Sequence, residues 1–161
     1  MGSKRVGLAR TQALIENLKR DLNLGGSQLA GVKDFVLTTT ADATTTLTAA
    51  DSGKVIMMTP NASAIALPDA APGLSFKIIL AGDYSTASCT VTAKAGEYLA
   101  GHAIAMDSNH GNEANGSSNI IATFGSATLA GDYLYLHCNG SLWFVNGASK
   151  VKANGIVFSD S

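Results

Sequence analysis

At 161 residues, 46% of them apolar, the chain can bury the core of one domain without disulfide or metal staples and still carry an appendage. Only 14% of residues are charged, against roughly 25% in an ordinary soluble domain, so the polar surface must come from Thr, Ser, Asn and Gly. No apolar run approaches the ~18 residues of a membrane helix, and no stretch interleaves basic residues with stacking aromatics as single-strand nucleic-acid binders do.

The net charge of −1 hides an asymmetry along the chain. Residues 1–24 hold Lys4, Arg5, Arg10, Lys19 and Arg20 against Glu16 and Asp21, a net of +3, whereas residues 25–161 hold six basic and ten acidic side chains, a net of −4. Within this opening stretch Leu8, Thr11, Ile15, Leu18 and Leu22 follow 3-4-3-4 spacing, and Leu14 widens the stripe they make on one face of a helix. Gly25-Gly26 ends it, as glycine past a helix C-terminus does. Isolated helices below ~12–15 residues barely form in water, so the apolar stripe needs its own body, sister helices or a partner to pack on. A basic amphipathic arm of this kind on an acidic body points to an acidic partner surface or the body of a neighbouring subunit, and is too short and too mixed in charge to favour nucleic acid. Gly7 and Arg10 interrupt what would be the apolar region of a secretion signal, and Cys89 and Cys138, far apart and without a CxxC, read as free thiols in a reducing compartment.

Residues 25–33, GGSQLAGVK, read as a hinge. From Asp34 onward helix signals vanish, and short apolar segments alternate with Asp-Ser-Gly, Pro-Asn and Ala-Pro-Gly turns. Strands are predicted near 34–39, 44–48, 54–59, 63–67, 74–81, 88–94, 98–105, 118–124, 126–130, 132–138, 141–146 and 155–159. Asn139-Gly140, between two period-2 segments, predicts a hairpin with a type I′ turn. Many short strands at this spacing predict a mainly β fold, a jelly-roll-like β-sandwich body over 34–161 preceded by a short N-terminal α-helix in an arm over 1–24. No repeat at a fixed period is evident, which argues against a solenoid or propeller. The polar stretch Asp107–Ser118 reads as one long solvated loop.

Signs of catalysis are absent from the sequence. GxSxG, GxxxxGK[ST] and GxGxxG do not occur, and His102, His110 and His137 lack zinc-ligand spacing. Asp107, Asn109 and Glu113 offer oxygen donors, but without the run of carboxylates of a calcium loop they read as loop polarity. Neither cofactor nor metal is expected. Tyr133, Tyr135, Trp143 and Phe144 flank the Asn139-Gly140 turn, where aromatics either fill a core or interface or stack on sugar rings.

Two stretches carry a resemblance. SKRVGLARTQALIENLKRDLNL, from Ser3 to Leu24, resembles the N-termini of small structural proteins of short-tailed marine bacteriophages, including cyanobacterial phages. LTAADSGKVIMMTPNASAIALPDAAPGLSFKIILAG, from Leu47 to Gly82, and the later CNGSLWFVNG resemble segments of β-rich phage virion proteins. The resemblance implies a non-enzymatic capsid decoration (cement) protein on the virion exterior, made in the host cytoplasm and acting as a homotrimer that bridges major capsid proteins. A fibre, knob or glycan-binding module for host attachment is the alternative. In the decoration reading, Val6, Leu8, Leu14, Ile15, Leu18 and Leu22 supply apolar contacts, while Lys4, Arg5 and Arg10 meet acidic capsid surface. No nucleic-acid or membrane partner is expected.

Overall fold

A computed structural model describes residues 36–107, 111–151 and 153–160, together with Gln12. The chain divides into two units, Met1–Lys33 and Asp34–Ser161, and the second is the one described below. The expected helix, hinge and arm contacts lie outside the described residues.

The body is mainly β, with twelve strands among the described residues: β1 (Val36–Thr38), β2 (Thr44–Thr46), β3 (Val55–Met58), β4 (Ala64–Ala66), β5 (Pro72–Leu80), β6 (Cys89–Thr92), β7 (Tyr98–Ala105), β8 (Gly111–Asn115), β9 (Ile121–Phe124), β10 (Tyr133–Asn139), β11 (Leu142–Ser149) and β12 (Ile156–Ser159). They form two sheets, one of seven strands in the order β1-β3-β5-β10-β11-β7-β8 and one of five in the order β12-β9-β6-β4-β2. Alternation along each strand sends apolar side chains inward: in β5, Leu74, Phe76, Ile78 and Leu80 are buried while Ser75, Lys77 and Ile79 face out. Trp143, Phe124, Ile56, Met58, Ile65, Leu99, Leu134 and Leu136 fill the space between the sheets.

Pairing directions depart from the jelly-roll-like expectation. Jelly rolls are built from antiparallel strands, yet half of the strand pairings here are parallel. The chain from β1 to β6 alternates between the sheets, so β1, β3 and β5 run parallel in one and β2, β4 and β6 parallel in the other. This is a flattened coil of three rungs. Its first two rungs are offset by 19 residues at Val36↔Val55 and by 20 at Thr44↔Ala64. Their sequences correspond as well: Val36-Leu37-Thr38-Thr39-Thr40 overlies Val55-Ile56-Met57-Met58-Thr59, and Leu47 and Leu67 are both buried. A repeat is therefore present where none is evident by composition, because Thr39 and Thr45 stand where later rungs carry Met58 and Ile65. Thr39 remains buried by exchanging hydrogen bonds with the next rung: Thr59 N–H donates to its hydroxyl at 2.9 Å and Thr59 Oγ1 donates to its carbonyl at 2.6 Å.

Three further local expectations change. The polar stretch from Asp107 contains β8, paired antiparallel with β7 and anchored by Asn112 Nδ2, which donates to the Ile156 carbonyl at 2.6 Å. Residues 126–130 form turns, not a strand, because Thr128 Oγ1 and the Asp132 carboxylate bond the local backbone in place of a sheet neighbour. The Asn139-Gly140 hairpin forms, but not as a type I′ turn: Gly140 has φ +105° and Asn139 is not among the positive-φ residues. Asn139 Oδ1 instead accepts from the backbone N–H of Ser141 and Leu142, a side-chain substitute for the tight turn.

Candidate functional site

The residues with chemical potential do not converge. His102 lies exposed on β7, in register with Glu113 on β8, and His137 is exposed on β10. Asp107 follows β7, whereas Asn109 and His110 lie outside the described residues, as do Lys4, Arg5, Val6, Leu8, Arg10, Leu14, Ile15, Leu18 and Leu22. Among the described residues no three His, Cys, Asp or Glu side chains are grouped to hold a metal ion. Cys89 and Cys138 are free and buried, and burial pushes the Cys89 thiol up.

Trp143 and Phe144 part company at a single step of the strand. Trp143 is fully buried beside Phe76, and its indole N–H donates to Glu97 Oε2 at 3.1 Å. Glu97 Oε1 accepts the Ala70 backbone N–H at 2.8 Å, so one carboxylate ties the β11 core to the turn before β5. Phe144 points the other way and is exposed, in register with His137 on β10 and Ala100 on β7. Tyr133 and Tyr135 share that outer face, edge to face at 5.1 Å, with Lys77 Nζ 5.1 Å from the Tyr135 ring centroid.

The strand registers lay out this outer face row by row. One row reads Met57, Ile79, Tyr133, Ala148, Ile104 across β3, β5, β10, β11 and β7, and every member is apolar or aromatic. The next reads Lys77, Tyr135, Asn146, His102, Glu113, and a third Ser75, His137, Phe144, Ala100, Asn115. Val36, Ile104, Met106 and Phe144, four of the five large exposed apolar side chains among the described residues, belong to this sheet or its immediate extension. The opposite face of the molecule differs. There Thr44, Ala64, Thr90, Thr123 and Val157 make one row and Thr46, Ala66, Thr92, Ile121 and Ser159 the next, rich in threonine and without charge.

The aromatic signal around Asn139-Gly140 was thus legible in sequence, and period 2 separates its inward from its outward members. The apolar row was not, because it joins residues up to 91 positions apart through a mixture of parallel and antiparallel pairings. Among the described residues no helix is long and apolar enough to cross a membrane. Compared with protein families, curated proteins and solved structures, the chain matches none.

Proposed function

We propose that the chain is a non-enzymatic structural protein of a bacteriophage virion, a decoration protein that binds the major capsid protein on the shell exterior as a homotrimer. The observation that carries this reading is the outer face of the seven-stranded sheet. A sandwich working alone in water places polar residues outward on its strands, whereas this one presents there a row that is apolar or aromatic over five adjacent strands. The low charge of the whole chain supports it, since weakly charged surface is desolvated at little cost, and so does the resemblance of Ser3–Leu24 and Leu47–Gly82 to virion proteins. In this reading Lys4, Arg5 and Arg10 of the arm meet acidic capsid surface.

Antibody against the full-length protein tests it on purified particles of the phage that encodes the chain. Gold label spread over the head is expected. Label confined to tail or fibres moves the protein to an appendage, and unlabelled particles reject a virion role. A second reading, a glycan-binding module, draws on Tyr133, Tyr135 and Phe144 standing on one open face with Asn146 and Asn115. Binding to neutral oligosaccharides that Tyr135→Ala abolishes would favour it over shell decoration.

A further inference from the structure

We propose that Asn139 is a self-modification site: its side-chain amide closes on the Gly140 backbone nitrogen to a cyclic imide, which water opens to aspartate or isoaspartate. The reaction needs no partner and is independent of the virion role. The sequence holds four Asn-Gly pairs, at 115–116, 139–140, 146–147 and 154–155, and a glycine after asparagine leaves the attacking nitrogen uncrowded. In the closing step solvent hydroxide takes the Gly140 N–H proton, the nitrogen bonds to Asn139 Cγ, and the Cγ–Nδ2 bond breaks. Ammonia leaves with a proton from water, which returns the hydroxide, and one further water hydrolyses either imide carbonyl.

The four pairs are alike in sequence, and the fold separates them. Asn139 Oδ1 accepts the backbone N–H of Ser141 at 3.0 Å and of Leu142 at 2.9 Å, and the Ser141 hydroxyl at 3.2 Å. Donors gathered on one amide oxygen stabilise the negative charge that develops there as Cγ becomes tetrahedral. The Gly140 N–H donates to Cys138 Sγ at 3.3 Å, a weak acceptor, and Asn139, Gly140 and Ser141 are all exposed to the water the reaction consumes. Asn115 has a similar cradle, its Oδ1 accepting from the backbone of Ser117, Ser118 and Asn119. There, however, the Gly116 N–H donates to the Leu99 carbonyl at 2.8 Å and Asn115 Nδ2 to Ser118 Oγ at 2.7 Å, which ties both nucleophile and leaving group. Asn146-Gly147 lies inside β11, where Gly147 pairs with Leu134 on one side and Ala103 on the other, and a strand held on both sides cannot bend its amide nitrogen onto the side chain. At Asn154-Gly155 the Ala127 and Gly125 N–H groups hold the two carbonyls, each at 2.9 Å, and Gly155 is buried.

The test incubates the full-length protein at mildly alkaline pH, both folded and in guanidinium chloride. Digestion and mass spectrometry follow each Asn-Gly peptide, and isoaspartyl methyltransferase labelling marks isoaspartate. In denaturant the four pairs are expected to convert at comparable rates. In the folded protein Asn139 converts at least as fast as it does unfolded, while the other three, which react only on local opening, slow by about tenfold or more. Asn139→Gln, with Trp143 fluorescence following its fold, removes the first acidic species seen on ion exchange. Should that variant unfold, the wild-type peptide rates decide alone. An Asn139 that converts more slowly folded than unfolded, or another pair that leads in the folded protein, overturns the inference.

Discussion

Asp51 and Asp132 are both held by hydrogen bonds, yet acid acts on them in opposite senses, because one is paired with a lysine and the other is buried. Asp51 accepts from Lys54 Nζ at 2.6 Å, and from the Thr48 hydroxyl at 2.7 Å and its backbone N–H at 2.8 Å, closing the short 3₁₀ turn Ala49–Asp51. Lys54 first, and then Thr48, lower its pKa from 3.8 to about 2. The stability it contributes is present above pH 3.8 and lost as pH falls toward 2. Asp51→Ala should therefore cost about 1 kcal/mol at neutral pH and flatten the acid limb of a urea-midpoint profile. Asp132 accepts from the Leu129 and Lys150 backbone N–H groups, and burial raises its pKa. Its folded state favours the protonated form, so the part of its contribution that depends on protonation is fully present below pH 3.8 and lost as pH rises through the raised value, while the two backbone hydrogen bonds remain. Asp132→Ala leaves two backbone donors unpaired, and a loss of about 2–3 kcal/mol is expected in urea denaturation at neutral pH.

At the scale of elements, β7 and β11 approach each other closely. Gly101 has φ +139°, and a Cβ there would lie 2.0 Å from the Val145 carbonyl oxygen of the neighbouring strand. Gly101→Ala should destabilise by about 2 kcal/mol or more, read as a lowered urea midpoint, because both the backbone angle and the strand spacing must yield. Glu97→Ala removes the acceptor of the buried Trp143 indole and of Ala70 together. A loss of about 2–3 kcal/mol is expected, with a shift in the emission of the single tryptophan. Strand existence was readable from period 2 in β5, β10 and β11, whose inward residues are strongly apolar. Strand β8 was not, because Gly-Asn-Glu-Ala-Asn has no β-propensity and is held by the pairing with β7 and the reach of Asn112 to Ile156. Parallel order was equally hidden: Thr39 and Thr45 disguise the first rung, and nothing local reports which strand a rung will lie beside.

For the whole molecule, the topology separates a part that is built in chain order from a part that is not. Each rung from β1 to β6 joins the rung before it, but β5 and β7 remain apart until β10 and β11 enter between them. Salt should separate the two kinds of surface: any association through the apolar outer face persists as ionic strength rises, while any attachment through Lys4, Arg5 and Arg10 weakens. Comparing oligomer mass and shell binding at low and high salt therefore distinguishes self-association from docking by the arm.

The late entry of β10 and β11 also sets a clock. Tyr133 and Ala148 supply the middle of the apolar row, so a nascent chain that has reached only β7 or β8 has the adjacent pair Met57 and Ile79 on one side of a gap and Ile104 on the other. The continuous row thus appears in one step, when the hairpin of β10 and β11 seats between β5 and β7. The apolar row is complete only once the hairpin has closed the sandwich behind it.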